Sequence, residues 1–138
     1  MDEKGLPVSL KDFPGKKIVV LYFYPKDFTS GCTTEACSFR DDYRIYQDKG
    51  AVVIGISLDT VESHFKFSEK YNLPFDILSD KNKEVAKAYG VLGFGGLVTI
   101  RVTFIIGKNG KIARIFPKVD VKQHSEEILK ALDELQNT

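Results

Sequence analysis

The chain holds two cysteines, Cys32 and Cys37, both in Pro25-Lys26-Asp27-Phe28-Thr29-Ser30-Gly31-Cys32-Thr33-Thr34-Glu35-Ala36-Cys37. A cysteine reacts as its thiolate, so the first question is what would hold one ionised. The apolar run Ile18 to Tyr24 precedes this stretch and reads as a buried strand. Ala36, Phe39, Tyr43 and Tyr46 follow it as an apolar stripe at helical spacing. Cys32 is therefore predicted on the first turn of a helix, just beyond a strand's carboxyl end. Backbone N–H groups are unpaired there, and the helix dipole favours an anion. An unperturbed thiol, with pKa about 8.5, is only a few per cent ionised at neutral pH. Cysteines at helix N-termini beside a cation fall to about 3.5–7.5. One helix end supplies only about 0.3–1 kcal/mol, so another part of the chain must bring a cation.

The spacing of the cysteines is the second clue. Five residues of ideal helix rise about 7.5 Å and turn about 140°, which sets the two Cα atoms roughly 8.6 Å apart on diverging faces. A disulfide needs about 4.4–6.8 Å. Either the two never pair, or the first turns unwind so that they can. A nucleophile that attacks first and a second thiol that arrives after unfolding would explain the arrangement.

The elements that must position these residues alternate. Strand Ile18–Tyr24 precedes the Cys32 helix, which is expected to reach about Asp48. Ala51–Ser57 is a second strand. Asp59 with Glu62 makes a capping-box pattern for a helix through Tyr71. Asp76–Leu78 is a short strand, Asp80 can cap a helix Lys81–Tyr89, and Gly90 can end it. Arg101–Ile106 and Lys111–Phe116 are strands joined through Lys108-Asn109-Gly110, where Asn-Gly signals a hairpin. Asp120 and Gln123 cap a last helix with Ile128, Leu129, Leu132 and Leu135 toward the core. The order predicts an α/β fold, a mixed sheet with helices on both faces. In such sheets, sites lie at the carboxyl ends of strands, which is where Cys32 falls.

Composition narrows the function classes. The chain has 138 residues, 43% hydrophobic and 28% charged, which suits one globular domain, 1–138. Formal net charge is +1, so no nucleic acid and no anionic membrane is expected as partner. Two cysteines make no secreted disulfide framework, and no signal peptide or membrane-length run is visible. A cytoplasmic location is the expectation.

Pro25-x-x-x-Thr29-x-x-Cys32 resembles the peroxidatic-cysteine motif of peroxiredoxins. The fuller string Tyr22-Phe23-Tyr24-Pro25-Lys26-Asp27-Phe28-Thr29, with Gly31-Cys32-Thr33 and Glu35-Ala36-Cys37, resembles their peroxiredoxin Q (bacterioferritin comigratory protein) subfamily. Arg101-Val102-Thr103-Phe104 resembles that family's Arg-x-Thr-Phe strand. The resemblance runs from about Val8 to the last helix. It implies a thioredoxin-like fold and thiol-dependent reduction of hydrogen peroxide and organic hydroperoxides; no cofactor is expected, and two cysteines five apart with no nearby histidine make a poor zinc site. It implies that Cys32 attacks the peroxide and becomes a sulfenic acid. Thr29 would hydrogen-bond the peroxide and the thiolate. Pro25 would shield the thiolate, and Arg101 would supply the cation. Glu35 would orient the arginine. Cys37 would resolve the sulfenic acid as an intramolecular disulfide, reopened by a thioredoxin-type protein reductant. Thiolate, sulfenate and disulfide are the reversible steps of cysteine oxidation. A monomer or weak homodimer is the implied assembly.

Three departures stand out. Ser30 occupies a position where the family usually has proline. Only Met1–Pro7 precedes Val8-Ser9-Leu10, where family members usually carry a further strand, so an edge strand is expected to be missing or the chain shortened. Gly93-Phe94-Gly95-Gly96-Leu97 is a glycine-rich connection expected to be mobile. Each assignment also has a simpler reading. Cys32 or Cys37 could be core packing. Thr29 and Ser30 could be helix caps, and Glu35 could complement the helix dipole. His64 and His124 read as surface residues far from the motif. Two other functions stay open. One is a disulfide carrier, although carriers use Cys-x-x-Cys. The other is a redox-sensing or chaperone-like module without turnover, because fold does not fix function.

Overall fold

The segment Ile18–Phe23, β1, is buried at every position. Ile18, Val20 and Tyr22 enter one apolar layer, and Val19, Leu21 and Phe23 enter another. Side chains alternate across a strand, so a strand buried on both faces belongs inside a sheet covered on both sides. A computed structural model describes residues 18–80, 82–93, 98–107, 111–117, 119 and 123–136. After β1 come α1 (Ser30–Asp41), α2 (Tyr43–Asp48), β2 (Ala51–Ser57), α3 (Val61–Tyr71), β3 (Asp76–Ser79) and α4 (Glu84–Tyr89). Then follow β4 (Leu92–Gly93), β5 (Val98–Thr99), β6 (Val102–Ile106), β7 (Ile112–Phe116) and α5 (His124–Gln136).

The main sheet has the order β3-β2-β1-β6-β7, with β4 and β5 paired separately. β1, β2 and β3 are parallel, whereas β6 runs antiparallel to β1 and to β7. The mixed sheet read from the sequence is therefore present. One layer packs Cys32, Ala36 and Phe39 of α1 with Tyr46, Phe67, Ile128 and Leu132 against one face. The other packs Ala86 of α4 with Ile54, Ile56, Leu78 and Phe104. Gly55 pairs with Tyr22 across β1 and β2. A Cβ on Gly55 would come within 2.8 Å of the Tyr22 ring and hydroxyl, so the missing side chain makes room for the ring.

Local chemistry departs from the sequence reading in several places. The Cys32 helix does not run through to Asp48. It stops at Asp42, whose backbone (φ −98°, ψ 4°) leaves the helix while its carboxylate accepts the Ser125 hydroxyl of α5 at 2.8 Å. Thr60, not Asp59, caps α3, its hydroxyl accepting the Ser63 N–H at 3.1 Å. Asp80 does serve α4, accepting the Val85 and Ala86 N–H groups at 3.1 and 2.7 Å. The helix itself starts at Glu84, because Lys83 sits in the left-handed region (φ 65°). Gly90 ends it at φ 69°, as expected. In α5, Ile128 and Leu132 are fully buried and Leu129 packs at the margin of the core. The N-terminal residues, positions 94–97, the 108–110 turn, the Asp120 cap and the Leu135 side chain lie outside the described residues. No helix among the described residues is long and apolar enough to cross a membrane.

Candidate active site

β1 ends at Phe23 and α1 opens at Ser30, so Cys32 occupies the first helical turn as expected. The cation arrives through the sheet. β6 pairs antiparallel with β1, and Val102 lies opposite Phe23. Arg101, one residue earlier, therefore reaches the carboxyl end of β1. The Thr99 hydroxyl donates to the Tyr24 carbonyl at 2.6 Å and ties the approach to β6 against that end.

The guanidinium makes two contacts. Nη2 lies 3.1 Å from Cys32 Sγ, and Nη1 donates to Glu35 Oε1 at 2.6 Å. Glu35 follows Cys32 by three residues and so shares its helix face. Gly31 explains the close approach. A Cβ there would sit 3.2 Å from Arg101 Nη2, tighter than ordinary contact. Cys32 and Glu35 are buried and Arg101 is partly exposed. Burial pushes the Glu35 carboxyl up to about 7, against the pull of Arg101. Burial alone would lower Arg101, but Glu35 and Cys32 outweigh it and hold the guanidinium above its ordinary value. Glu35 Oε2 and the Tyr22 hydroxyl are buried without a hydrogen-bond partner among the described residues.

The remaining expected residues divide. Thr29 stands at the N-cap of α1 but caps nothing with its side chain. Its hydroxyl donates to the Lys26 carbonyl at 2.8 Å, which leaves its lone pairs free to accept. Pro25 is half-buried in the same loop. Cys37 is a half-buried free thiol. α1 runs unbroken through both cysteines, and both are free.

Both histidines correct the sequence reading, because each is buried. His64 Nδ1 lies 2.6 Å from Asp27 Oδ2, and its Nε2 lies 3.0 Å from the Leu78 carbonyl. Asp27 also accepts from the Tyr24 hydroxyl at 2.6 Å and from Ser63 at 2.8 Å. His64 is therefore tied to the reactive loop rather than remote from it. His124 Nε2 lies 2.7 Å from Thr103 Oγ1, with the Phe39 and Phe116 rings edge-on to it. The phase of each helix carried the signal: His64 precedes Phe67 by three residues, and His124 precedes Ile128 by four, so each lies on the buried stripe. Asp27, Asp59 and His64 offer ligand atoms within 4.8 Å of one another. Those atoms are engaged in hydrogen bonds, with Asp59 Oδ2 accepting from the Asp27 N–H at 2.8 Å and from Ser57 at 2.7 Å. A satisfied polar network accounts for the cluster.

Comparison with known proteins meets this geometry. Residues 1–115 match the family model described as "AhpC/TSA family". The chain is 45% identical over 139 residues to peroxiredoxin Bcp of Bacillus subtilis (96% of this chain, 88% of that protein). It is 45% identical over 136 residues to the chloroplastic peroxiredoxin Q of Sedum lineare (97% of this chain, 73% of that protein). Among solved structures, a cysteine-to-serine mutant of PrxQ from Xylella fastidiosa superposes with a TM-score of 0.92 at 33% identity, covering 99% of this chain and 87% of that one. A Xanthomonas campestris bacterioferritin comigratory protein, studied for alkyl peroxide reduction, gives 0.90 at 32% identity, covering 96% and 88%. The fold is thus the thioredoxin-like fold of these neighbours. With a helix-tip cysteine, a guanidinium beside its sulfur and relatives of this kind along nearly its whole length, the chain belongs to the AhpC/TSA family and is a thiol peroxidase of the Bcp and peroxiredoxin Q type.

Proposed function

We propose that the chain, as one domain, reduces hydrogen peroxide and organic hydroperoxides through Cys32, with Cys37 as the resolving thiol. The observation that carries this reading is the 3.1 Å contact between Arg101 Nη2 and Cys32 Sγ at the opening turn of α1. The thiolate attacks one peroxide oxygen. An S–O bond forms, the O–O bond breaks, and the departing oxygen leaves as water or alcohol after taking a proton. Thr29, with its own proton engaged by Lys26, accepts the peroxide O–H and orients it. Arg101 faces the charge that moves from sulfur to the departing oxygen, which is where fixed positive charge accelerates the step. Pro25 screens the sulfur from water, and Glu35 holds the guanidinium in place. Cys37 then attacks the sulfenic sulfur and expels water, forming the disulfide once the first turns of α1 unwind. A dithiol protein of the thioredoxin type takes up the oxidising equivalents and restores both thiols. The protein would work in the cytoplasm as a monomer or weak homodimer, and the net charge of +1 gives no sign of a nucleic-acid or anionic-membrane partner.

Rapid mixing with hydrogen peroxide, followed by mass measurement, tests the assignment. Wild type is expected to lose two hydrogens as a Cys32–Cys37 link. Cys37→Ala is expected to stop with one added oxygen, and Cys32→Ser to remain unoxidised on the same timescale. Equal oxidation of wild type and Cys32→Ser overturns the assignment. Turnover of peroxide with a thiol reductant separates this reading from a module without turnover, and slow insulin-disulfide reduction separates it from a disulfide carrier.

A further inference from the structure

We propose that Asp27 and His64 are positioning residues for peroxide reduction: they pin the Pro25–Thr29 loop so that Thr29 faces the sulfur at a fixed distance. The inference rests on Cys32 being the attacking thiol. Asp27 sits in the middle of that loop, and its side chain is 1% exposed and that of His64 0%. Its carboxylate holds three partners from outside the loop's own turn: the Tyr24 hydroxyl at 2.6 Å, Ser63 at 2.8 Å and His64 Nδ1 at 2.6 Å. Its backbone N–H donates to Asp59 at 2.8 Å. The far nitrogen of His64 is held by the Leu78 carbonyl of β3 at 3.0 Å. A carbonyl only accepts, so Nε2 carries a hydrogen, and the remaining ring nitrogen is directed at Asp27. A line of hydrogen bonds thus runs from β3 through α3 into the loop that precedes the reactive helix.

The loop needs such restraint. Phe28 has φ 64°, a left-handed backbone that a bulky residue adopts only when its surroundings impose it. Its ring packs edge-on against Phe67 of α3, with centroids 5.1 Å apart. Thr29 is bonded to Lys26, so Thr29 moves with the segment that Asp27 anchors. Neither Asp27 nor His64 contacts the sulfur, so their effect passes through the loop. A shift of about 1 Å in a group that orients a substrate can cost about a hundredfold in rate. Cys32 Sγ, by contrast, meets Arg101, and no hydrogen bond of Asp27 or His64 reaches either group among the described residues. The loop therefore governs alignment of peroxide and leaves thiolate formation alone.

Two isosteres of His64 separate these effects in the full chain. His64→Asn places an amide nitrogen where Nδ1 stands and keeps the bond to Asp27. His64→Gln reaches the Leu78 carbonyl and leaves Asp27 without that partner. In His64→Gln, the rate constant of Cys32 with hydrogen peroxide is expected to fall about tenfold or more, while alkylation by iodoacetamide at the same pH stays within about twofold. His64→Asn is expected to recover most of the peroxide rate. The inference is overturned by an unchanged peroxide rate in His64→Gln, by a parallel fall in both rates, or by equal loss in the Asn and Gln variants. Should His64→Gln fail to fold, Asp27→Asn, which puts an amide NH2 in place of one of the two carboxylate oxygens shared by Tyr24, Ser63 and His64, is read by the same two rates. If the wild-type enzyme does not oxidise at Cys32, the catalytic assignment itself fails and this inference falls with it. If wild type reacts at Cys32 and the variants match it, only this inference falls.

Discussion

Arg101 Nη2 lies 3.1 Å from the Cys32 sulfur although 69 residues separate the two in the chain. The register of β6 on β1 creates that contact, since Val102 opposite Phe23 leaves Arg101 at the rim where α1 begins. A shift of the pairing by one residue would turn every side chain of β6 to the opposite face.

Removing the guanidinium leaves the sulfur with only the helix end to favour its charge. Arg101→Ala is expected to slow peroxide reduction about a hundredfold and to slow alkylation at neutral pH as well. Gly31→Ala, whose Cβ would stand 3.2 Å from Nη2, is expected to produce a smaller loss of the same kind. Stopped-flow oxidation and iodoacetamide labelling measure both. Unchanged rates in Arg101→Ala would remove the arginine from the mechanism.

Glu35 makes stability depend on pH in an unusual direction. Its folded value, about 7, lies above the ordinary 4.5 because burial disfavours the charge. Between those values the unfolded chain releases the proton and the folded chain keeps it. Stability from this group is therefore full below about pH 4.5 and declines as pH rises toward about 7. Glu35→Gln is expected to abolish this decline, on the order of 3 kcal/mol across the window. Denaturant midpoints at pH 4.5 and 7.5 in both proteins check the sign.

His124 acts in the opposite sense. Burial, aided by Arg101, lowers it to about 4 from 6.5. As pH falls below about 6.5 the unfolded chain takes up a proton that the folded chain refuses, so stability is lost down to about pH 4. His124→Gln, which can keep the bond to Thr103, is expected to flatten the acid side by on the order of 3 kcal/mol. Because the two groups oppose each other between about pH 4.5 and 6.5, wild type is expected to look nearly flat there. The single variants would then reveal opposite slopes in thermal melts.

Ser30 is the first residue of α1, and Thr29 before it is extended at φ −78°, ψ 153°. Proline suits the first helical position, and an extended residue suits the place before it. Ser30→Pro is expected to stabilise the fold by about 0.4–1 kcal/mol by restricting the unfolded chain. Unfolding curves with equal slopes and a shifted midpoint would confirm it.

Gly55→Ala is expected to cost about 1–3 kcal/mol, because the new methyl would meet the Tyr22 ring 2.8 Å away. Tyr22 is packed against Tyr24, Phe39 and Phe75 and has little room to shift. Tyr22→Phe removes one of the clashing atoms and a buried hydroxyl that has no partner among the described residues. In the Gly55→Ala background it is expected to return part of the loss, measured by a double-mutant cycle.

Much was legible from local pattern. The apolar run Ile18–Tyr24 located β1, and the Ala36, Phe39 stripe located the turn of helix that carries Cys32, because apolar spacing reports burial directly. The two thiols and their spacing set the type of chemistry. Electrostatic need alone called for a cation, and the resemblance of Arg101-Val102-Thr103-Phe104 singled out Arg101. What misled was polarity taken one residue at a time. His64 and His124 read as surface residues, yet each lies on the buried stripe of its helix and finds a buried hydrogen-bond partner. Asp59 read as a cap, but its carboxylate is occupied by the Asp27 N–H and Ser57.

The sequence by itself determined the elements, the helix-tip thiol and the need for a positive charge beside it, since these follow from spacing and from the backbone groups left unpaired at a helix end. Only the tertiary structure decided which charges and hydrogen bonds meet. The register of β6 brings Arg101 to Cys32 and Glu35, and the packing of α3 brings His64 to Asp27. Contacts between residues far apart in the chain depend on how strands pair and helices pack, and no local window of residues contains that information.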